Sequence, residues 1–139
     1  MKVEKLSCRD IMVGDWVYNT HNRQNERVQE INSGLVMLDY NDLYEYDEIE
    51  PIPLTPEILE KNGFLANKHV YPYPYYEYID KEHELKVGFA FPQGDRTSYK
   101  DPWVYIDSEC VFVEHLPCIF VHQLQHVLRL CEIEKEIIL

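Results

Sequence analysis

The chain has 139 residues, 45% of them hydrophobic and 27% charged, which is the size and composition of a single globular domain that forms its core without disulfides or metals. Its 25 acidic and 13 basic residues give a net charge of −12. A field of this sign repels the phosphate backbone of nucleic acids and anionic membrane surfaces, so we expect direct binding to neither.

The N-terminus and the cysteines indicate the cellular compartment. No apolar stretch follows Met1 as it would in a secretory signal, and no run approaches the about 18 apolar residues of a membrane span. The cysteines form no CxxC pair and accompany no secretory feature. We therefore expect a cytoplasmic protein with free thiols and no cofactor.

Residues 11–54 are predicted to form a β-rich half made of short strands. Asn32-Ser33-Gly34 stands between two apolar runs, which is typical of a hairpin turn. Gly14 is expected to mark the bend that starts the first long strand. Several short strands in so few residues are typical of a small barrel or a strongly twisted sheet, so we expect an SH3-like arrangement here.

A short helix is predicted over residues 56–62. Thr55 is a typical N-cap, Pro56 suits the first helical position, and Gly63 is a typical residue after the last turn. After this helix the sequence returns to β-strands, which are predicted at Tyr75–Ile79, Leu85–Phe91, Trp103–Ile106 and Cys110–Val113.

The stretch from Leu116 to Leu130 has the apolar periodicity of an amphipathic helix, and the alternating tail at 132–139 is expected to add an edge strand. We therefore expect an α+β fold in a single domain, 1–139. Its residues 1–54 would form the SH3-like β half, and residues 55–139 the short helix, the second antiparallel sheet and the C-terminal helix.

The polar face of the terminal helix contains the nearest approach to a metal site. Cys118, His122 and His126 follow one another at four-residue spacing, which places them on one helical face. Gln123 stands where an HExxH motif has its glutamate, which argues against a protease. We expect no bound metal, and we expect this face to be solvated while the opposite aliphatic face anchors the helix.

The segment from Asp39 to Glu60 carries eight carboxylates and neither lysine nor arginine. One interpretation is a solvated loop and helix start. Another is a DNA mimic, in which carboxylates at phosphate-like spacing occupy a basic groove of a nuclease or repressor. A calcium loop fits poorly, because Leu43 and Tyr44 stand where oxygen ligands are required.

Alternating tyrosine and proline in residues 70–78 favour an extended segment with little entropy left to lose on binding. Tyr71, Tyr73 and Tyr75 are therefore candidate anchors for a partner protein. The alternative interpretation is a strand whose rings lie on the core.

Three motifs occur in order along the chain: Val13-Gly14-Asp15-Trp16-Val17, then Ile49-Glu50-Pro51-Ile52-Pro53-Leu54-Thr55 with Gly63-Phe64, then Val121-His122-Gln123-Leu124-Gln125. Together they resemble a family of small uncharacterised proteins of gut anaerobic bacteria and of their prophages and mobile elements. The resemblance covers most of the chain and implies a small α+β protein of bacterial or phage origin. Asparagine often stands at the position of His126 in that family, which implies that the histidine pair is not a family feature.

These features favour a non-catalytic cytoplasmic binding or accessory protein of prophage or mobile-element origin, with a protein partner. Pairing through the tyrosine-rich strand or the tail would make it a homo-oligomer. An acidic DNA mimic that inhibits a nucleic-acid-binding protein is one alternative. An enzyme of a class without a recognisable motif is the other, since no GxSxG, P-loop or dinucleotide-binding motif occurs.

Overall fold

The computed structural model of the protein describes residues 5–67, 75–82, 84–90, 102–108 and 112–139. Antiparallel sheets and two helices, one short and one C-terminal, confirm the predicted α+β class. The chain divides into two compact units: unit 1 contains Met1–Pro53 and Phe120–Val127, and unit 2 contains Leu54–Ile119 and Leu128–Leu139. Within the described residues no helix has the length and apolar character that crossing a membrane requires.

Unit 1 contains two antiparallel sheets of three strands each. In the first, β1 (Trp16–Asn19) lies between β2 (Gln24–Arg27) and β6 (Ile49–Glu50), and in the second, β4 (Leu35–Met37) lies between β3 (Glu30–Ile31) and β5 (Leu43–Glu45). The predicted hairpin is confirmed, because β3 pairs with β4 across Asn32-Ser33-Gly34. The Asn32 side chain accepts hydrogen bonds from the backbone N–H groups of Gly34 and Leu35, which fixes this turn.

A nearly fully buried carboxylate links β1 and β2. Oε2 of Glu26 accepts hydrogen bonds from Nδ2 of Asn19 at 2.7 Å and from Nδ2 of Asn22 at 3.2 Å. Nδ2 of Asn22 also lies 3.1 Å from the hydroxyl of Tyr44. A carboxylate is costly to bury unless donors surround it, so this network holds the two strands together by side chains as well as by backbone pairing. The apolar core of unit 1 packs around these strands and includes Leu6, Ile11, Val17, Val28, Val36, Leu38, Tyr44 and Ile49.

Unit 2 begins with helix α1 (Pro56–Lys61), which confirms the predicted short helix. Oγ1 of Thr55 accepts a hydrogen bond from the Ile58 N–H, and Gly63 adopts a φ of 85° after the helix, where a residue without Cβ is favoured. The side chain of Asn62, at the end of α1, donates to the Ile58 carbonyl at 2.8 Å.

One antiparallel sheet of five strands forms the body of unit 2, in the order β11-β10-β9-β8-β7. The predicted strands are present as β8 (Tyr75–Asp80), β9 (Leu85–Ala90), β10 (Trp103–Ser108) and β11 (Phe112–Pro117), and the short edge strand β7 (Leu65–Asn67) was not predicted. Residues 91 and 110–111 of the predicted strands lie outside the described part of the chain. Buried side chains of unit 2 include Leu59, Phe64, Val87, Phe89 and Val104.

Helix α2 spans Val121–Leu130 and so begins later than the predicted Leu116, because Leu116 and Pro117 pair with β10 at the end of β11. Its residues through Val127 belong to unit 1, and Leu128–Leu130 belong to unit 2. The predicted edge strand in the tail is wrong: residues 132–139, all described, form no strand. The Asn62 side chain instead holds both backbone groups of Ile138, donating to its carbonyl at 2.8 Å and accepting from its N–H at 2.7 Å.

Candidate functional site

An aspartate–histidine pair joins the N-terminal loop of unit 1 to helix α2. Asp15 follows Gly14, whose φ is 92°, and its side chain is fully buried. Its Oδ2 accepts a hydrogen bond from the Met12 N–H at 2.7 Å and lies 2.6 Å from Nε2 of His126. Since the carboxylate can only accept, Nε2 of His126 carries the proton and the other ring nitrogen is left for a different partner.

Gln125, the neighbour of His126 in the helix, is also buried. Its Oε1 accepts a hydrogen bond from the Trp16 N–H at 2.9 Å, and its Nε2 donates to the Gly14 carbonyl at 3.0 Å. Gln125 therefore satisfies two backbone groups of the turn that carries Asp15. A turn at this position could not otherwise be buried without leaving those groups unpaired.

The prediction that the polar face of the terminal helix is solvated is wrong. His122 is only 4% exposed, Gln125 is buried, and the side chain of His126 is held against a buried carboxylate. Helical periodicity grouped these residues correctly on one face, but their partners lie in the Gly14–Trp16 turn, far away in the sequence. The polar face is therefore buried at His122 and Gln125, and it remains partly exposed at His126.

His122 lies between two rings. It stacks nearly parallel on Phe120 with centroids 5.8 Å apart, and it meets His126 edge to face at 5.6 Å. Burial lowers the pKa of His122 below its ordinary value, and the neighbouring His126 adds to this, whereas Asp15 and Asp10 oppose it. Within the described part of the chain, Nδ1 of His122 is buried and has no hydrogen-bond partner.

Cys118, the third residue of the predicted metal candidate, precedes α2 and belongs to unit 2. It is fully buried, and burial raises the pKa of its thiol to about 12, so it stays protonated at neutral pH and is a poor metal ligand. Across the described ranges, no group of three or more histidine, cysteine, aspartate and glutamate side chains is arranged to hold a metal ion.

A cleft of about 270 Å³ opens in unit 1 beside the start of α2. Its walls include the rings of Phe120, His122 and His126 and the charged side chains of Lys5, Arg9 and Asp10. Composition gave no reason to expect a cationic cleft in so acidic a chain. Only the fold brings Lys5 and Arg9 to the histidines of α2.

The second candidate surface is one face of the five-stranded sheet of unit 2, which we call the aromatic face. Tyr75, Ala90 and Trp103 are paired neighbours across β8, β9 and β10, so their side chains share this face. Tyr105 is on the same face, two residues after Trp103 on β10. The ring of Tyr75 contacts both Trp103 and Tyr105 edge to face, with centroids 5.6 and 5.4 Å apart.

A glycine at the centre of the aromatic face lets a tyrosine cross the middle strand. A Cβ built on Gly88 would lie 2.1 Å from the ring of Tyr105. The Tyr105 hydroxyl thereby reaches Glu77 on β8 and donates a hydrogen bond to it, while Lys86 lies 3.3 Å from the same carboxylate. Burial, followed by the hydrogen bond to Glu77, raises the pKa of Tyr105.

Of the predicted tyrosine anchors, Tyr75 lies in the aromatic face, half-buried among the other rings. Tyr71 and Tyr73 lie outside the described residues. Two apolar side chains on this face stay in water, since Leu65 is 74% exposed on β7 and Ile79 is 60% exposed on β8. The sequence feature that could have identified the aromatic face is Gly88, because a glycine inside an apolar strand indicates the close approach of another group.

The eight carboxylates from Asp39 to Glu60 are divided between the two units. Six belong to unit 1, and the two on α1, Glu57 and Glu60, belong to unit 2. Asp39 is engaged within unit 1, where it accepts hydrogen bonds from the Arg27 N–H and from Nε2 of Gln29.

Comparisons with protein-family models, with curated proteins and with solved structures find no match to the chain.

Proposed function

We propose that the protein is a non-catalytic cytoplasmic binding protein, an accessory protein of a prophage or mobile element, and that it binds a partner protein through the aromatic face. The observation that carries this proposal is the pair of half-buried rings Tyr75 and Tyr105, which pack on the buried Trp103 and lie beside the exposed side chains of Leu65 and Ile79. Tyrosine is among the residues that most often anchor protein interfaces, and adjacent exposed aliphatic side chains enlarge the apolar contact area.

The aromatic face is held in place before any partner arrives. Backbone pairing fixes β8, β9 and β10, and the hydrogen bond from Tyr105 to Glu77 fixes a ring that would otherwise rotate. Little conformational entropy then remains to be lost on binding, which favours affinity.

The charge of the chain supports a basic partner. The net charge is −12, and the exposed Asp107 lies on the same face of the sheet as Ile79 and Lys86. Glu77 already forms an ion pair with Lys86 and accepts a hydrogen bond from Tyr105, so its charge is compensated within the sheet. A partner with an apolar anchor and a surplus of lysine and arginine around it complements this surface in both respects.

The cytoplasmic location and the mobile-element origin have separate supports. Three of the described cysteines, Cys8, Cys118 and Cys131, are free thiols, which is the state expected in a reducing cytoplasm. The origin follows from the resemblance carried by the three sequence motifs, of which Val13–Val17 and Val121–Gln125 fall in unit 1.

Affinity capture from a lysate of the native host tests the proposal. The bait is the full chain, compared with Leu65→Asp and Ile79→Asp, whose parent side chains are exposed and tolerate charge. Tyr40→Asp is the matched control, because Tyr40 is 67% exposed on unit 1. We expect a basic protein that is captured by the native chain and by Tyr40→Asp and is lost with both aromatic-face variants.

Two outcomes would contradict the proposal. One is a captured set that does not change in Leu65→Asp or Ile79→Asp. The other is a self-associated protein that becomes monomeric in Ile79→Asp by light scattering, because the aromatic face would then bind a second copy of the chain.

A further inference from the structure

We infer that the cleft of unit 1 beside the start of α2 is a binding site for a small oxyanion, namely the phosphate or carboxylate group of a metabolite. This site is separate from the aromatic face, and the inference does not depend on the proposed function.

The charges around the cleft favour an anion. Lys5 and Arg9 are exposed and line the cleft, and neither makes an ion pair with any residue that the structure describes. Asp10 also lines it, but its Oδ2 is occupied by the Ser7 N–H at 2.8 Å and the Ser7 hydroxyl at 3.1 Å. Two cations that have no ion pair within the described ranges, at one point of a chain with a net charge of −12, form a local attraction for negative ligands.

The start of helix α2 adds a backbone donor. The Val121 N–H donates to the Ile52 carbonyl at 2.8 Å, and the N–H groups of Gln123 and Leu124 donate to the Phe120 carbonyl. Among the described residues the His122 N–H has no acceptor, and it lies in the first turn, where the helix dipole is positive. An unpaired N–H at a helix start is a common element of anion sites.

The side chain of His122 provides the independent indication of a ligand. It is 4% exposed, it lines the cleft, and its Nδ1 is buried without a hydrogen-bond partner among the residues that the structure describes. A buried polar nitrogen with no partner costs free energy that a ligand oxygen would recover. His126 completes the wall, with its Nε2 committed to Asp15 and its ring partly exposed.

The size of the cleft limits the ligand. Its volume of about 270 Å³ is slightly below the range of roughly 300–1,000 Å³ that is usual for small-molecule pockets. A phosphorylated or carboxylated metabolite of a few carbon atoms therefore fits, whereas a nucleic acid or a folded protein surface does not enter it.

Titration followed by NMR tests this inference on the full chain. The Cε1–H signals of the histidines are recorded while inorganic phosphate or, separately, acetate is added at an ionic strength held constant with sodium chloride. We expect saturable shifts at His122 and His126 and none at His21, which is exposed elsewhere on unit 1. The pKa of His122 should rise when the anion is bound, because a negative charge nearby favours the protonated ring.

Variants that remove one positive charge show whether the anion binds at this cleft. Arg9→Gln and Lys5→Gln should each weaken phosphate binding about tenfold, since a charge-assisted hydrogen bond contributes roughly that factor. Lys81→Gln, at an exposed lysine of unit 2, should leave binding unchanged. Tighter binding of phosphate than acetate identifies a phosphoryl ligand, and the reverse order identifies a carboxylate ligand.

The inference is overturned if added phosphate and acetate shift the histidine signals no more than sodium chloride does. It is also overturned if saturable binding persists unchanged in both Arg9→Gln and Lys5→Gln. Ile79→Asp should bind phosphate normally, so a failure of this inference and a failure of the proposed partner binding remain distinguishable.

Discussion

Oδ2 of Asp15 lies 2.6 Å from Nε2 of His126, a residue 111 positions later in the chain. The carboxylate is fully buried, so the imidazole N–H and the Met12 N–H replace the water that it loses on folding. This pair joins the two segments of unit 1, Met1–Pro53 and Phe120–Val127.

Removal of the imidazole should destabilise the protein. In His126→Ala the buried carboxylate of Asp15 loses a charge-assisted hydrogen bond, so we expect the free energy of unfolding to fall by about 1.5–3 kcal/mol. Urea denaturation followed by circular dichroism measures this change. His21→Ala, at an exposed histidine of the same unit, is the control and should stay within about 0.5 kcal/mol of the native protein. Equal effects of the two substitutions would mean that the pair with Asp15 contributes no stability.

Acid should destabilise the protein partly through His122. Burial lowers the pKa of this ring from its ordinary value of 6.5, so below that pH the unfolded chain binds a proton that the folded protein does not. The free energy of unfolding therefore decreases as the pH falls through about 6.5, and the contribution is fully present above it. The groups that act electrostatically on His122, namely Asp15, Asp10 and His126, are present in the native protein and in a variant of His122 alike.

His122→Phe isolates this contribution, because phenylalanine keeps a ring against Phe120 and has no titratable group. Urea denaturation of both proteins at about pH 7.5 and about pH 5.5 gives the comparison. We expect the native protein to lose more stability between the two pH values than His122→Phe does. An identical loss in both proteins would show that His122 has an ordinary pKa in the folded state.

Gly88→Ala should destabilise unit 2 by about 1–3 kcal/mol, because the added methyl group overlaps the ring of Tyr105 and displaces its hydroxyl from Glu77. Gly34→Ala is a matched control, since nothing lies within 4 Å of a Cβ at that position. The double variant Gly88→Ala/Tyr105→Ala tests whether the overlap with Tyr105 causes the loss of stability. If the alanine at 88 is as costly in the Tyr105→Ala background as in the native one, the overlap with Tyr105 is not the reason.

Asn62→Ala should release the C-terminal tail. The substitution removes both hydrogen bonds to the Ile138 backbone and the bond to the Ile58 carbonyl, which are 2.7–2.8 Å long. We expect faster hydrogen exchange at the Ile138 amide and faster digestion of the tail by carboxypeptidase, with β8 and β9 still protected. Asn25→Ala, at an exposed position of β2, serves as the control. Unchanged exchange at Ile138 would mean that buried Ile133 and Ile137 hold the tail without Asn62.

Features that depend on neighbouring residues were predictable from the sequence. Thr55 and Gly63 delimit α1 by local backbone chemistry, and Asn32 fixes its turn through bonds to residues two and three positions away. Strand β7 was not predictable in the same way, because three residues form a strand there only through their pairing with β8. The alternation of the tail suggested a strand, but a side chain, that of Asn62, takes the place of a neighbouring strand.

The candidate sites depend even more on contacts between residues that are distant in the sequence, so less of them could be predicted. Periodicity placed His122, Gln125 and His126 on one helical face, yet it carries no information about what covers that face. Gln125 and His126 are covered by the turn at Gly14–Trp16, and the cations of the cleft come from Lys5 and Arg9. Contacts between residues so distant in the sequence follow from the tertiary fold and leave no periodic trace in the chain.

Unit 1 is discontinuous, since Phe120–Val127 completes what Met1–Pro53 begins. A ribosome must therefore synthesise the chain as far as Val127 before the segment Met1–Pro53 can obtain Gln125 and His126 as partners. Until then the nascent N-terminal strands lack the side chain that hydrogen-bonds to the backbone of the Gly14–Trp16 turn. The folding of unit 1 therefore has to wait for contacts between residues that are far apart in the sequence. Unit 1 is thus expected to complete its folding late, and chaperones would meet the growing chain with its first fifty or so residues still incomplete.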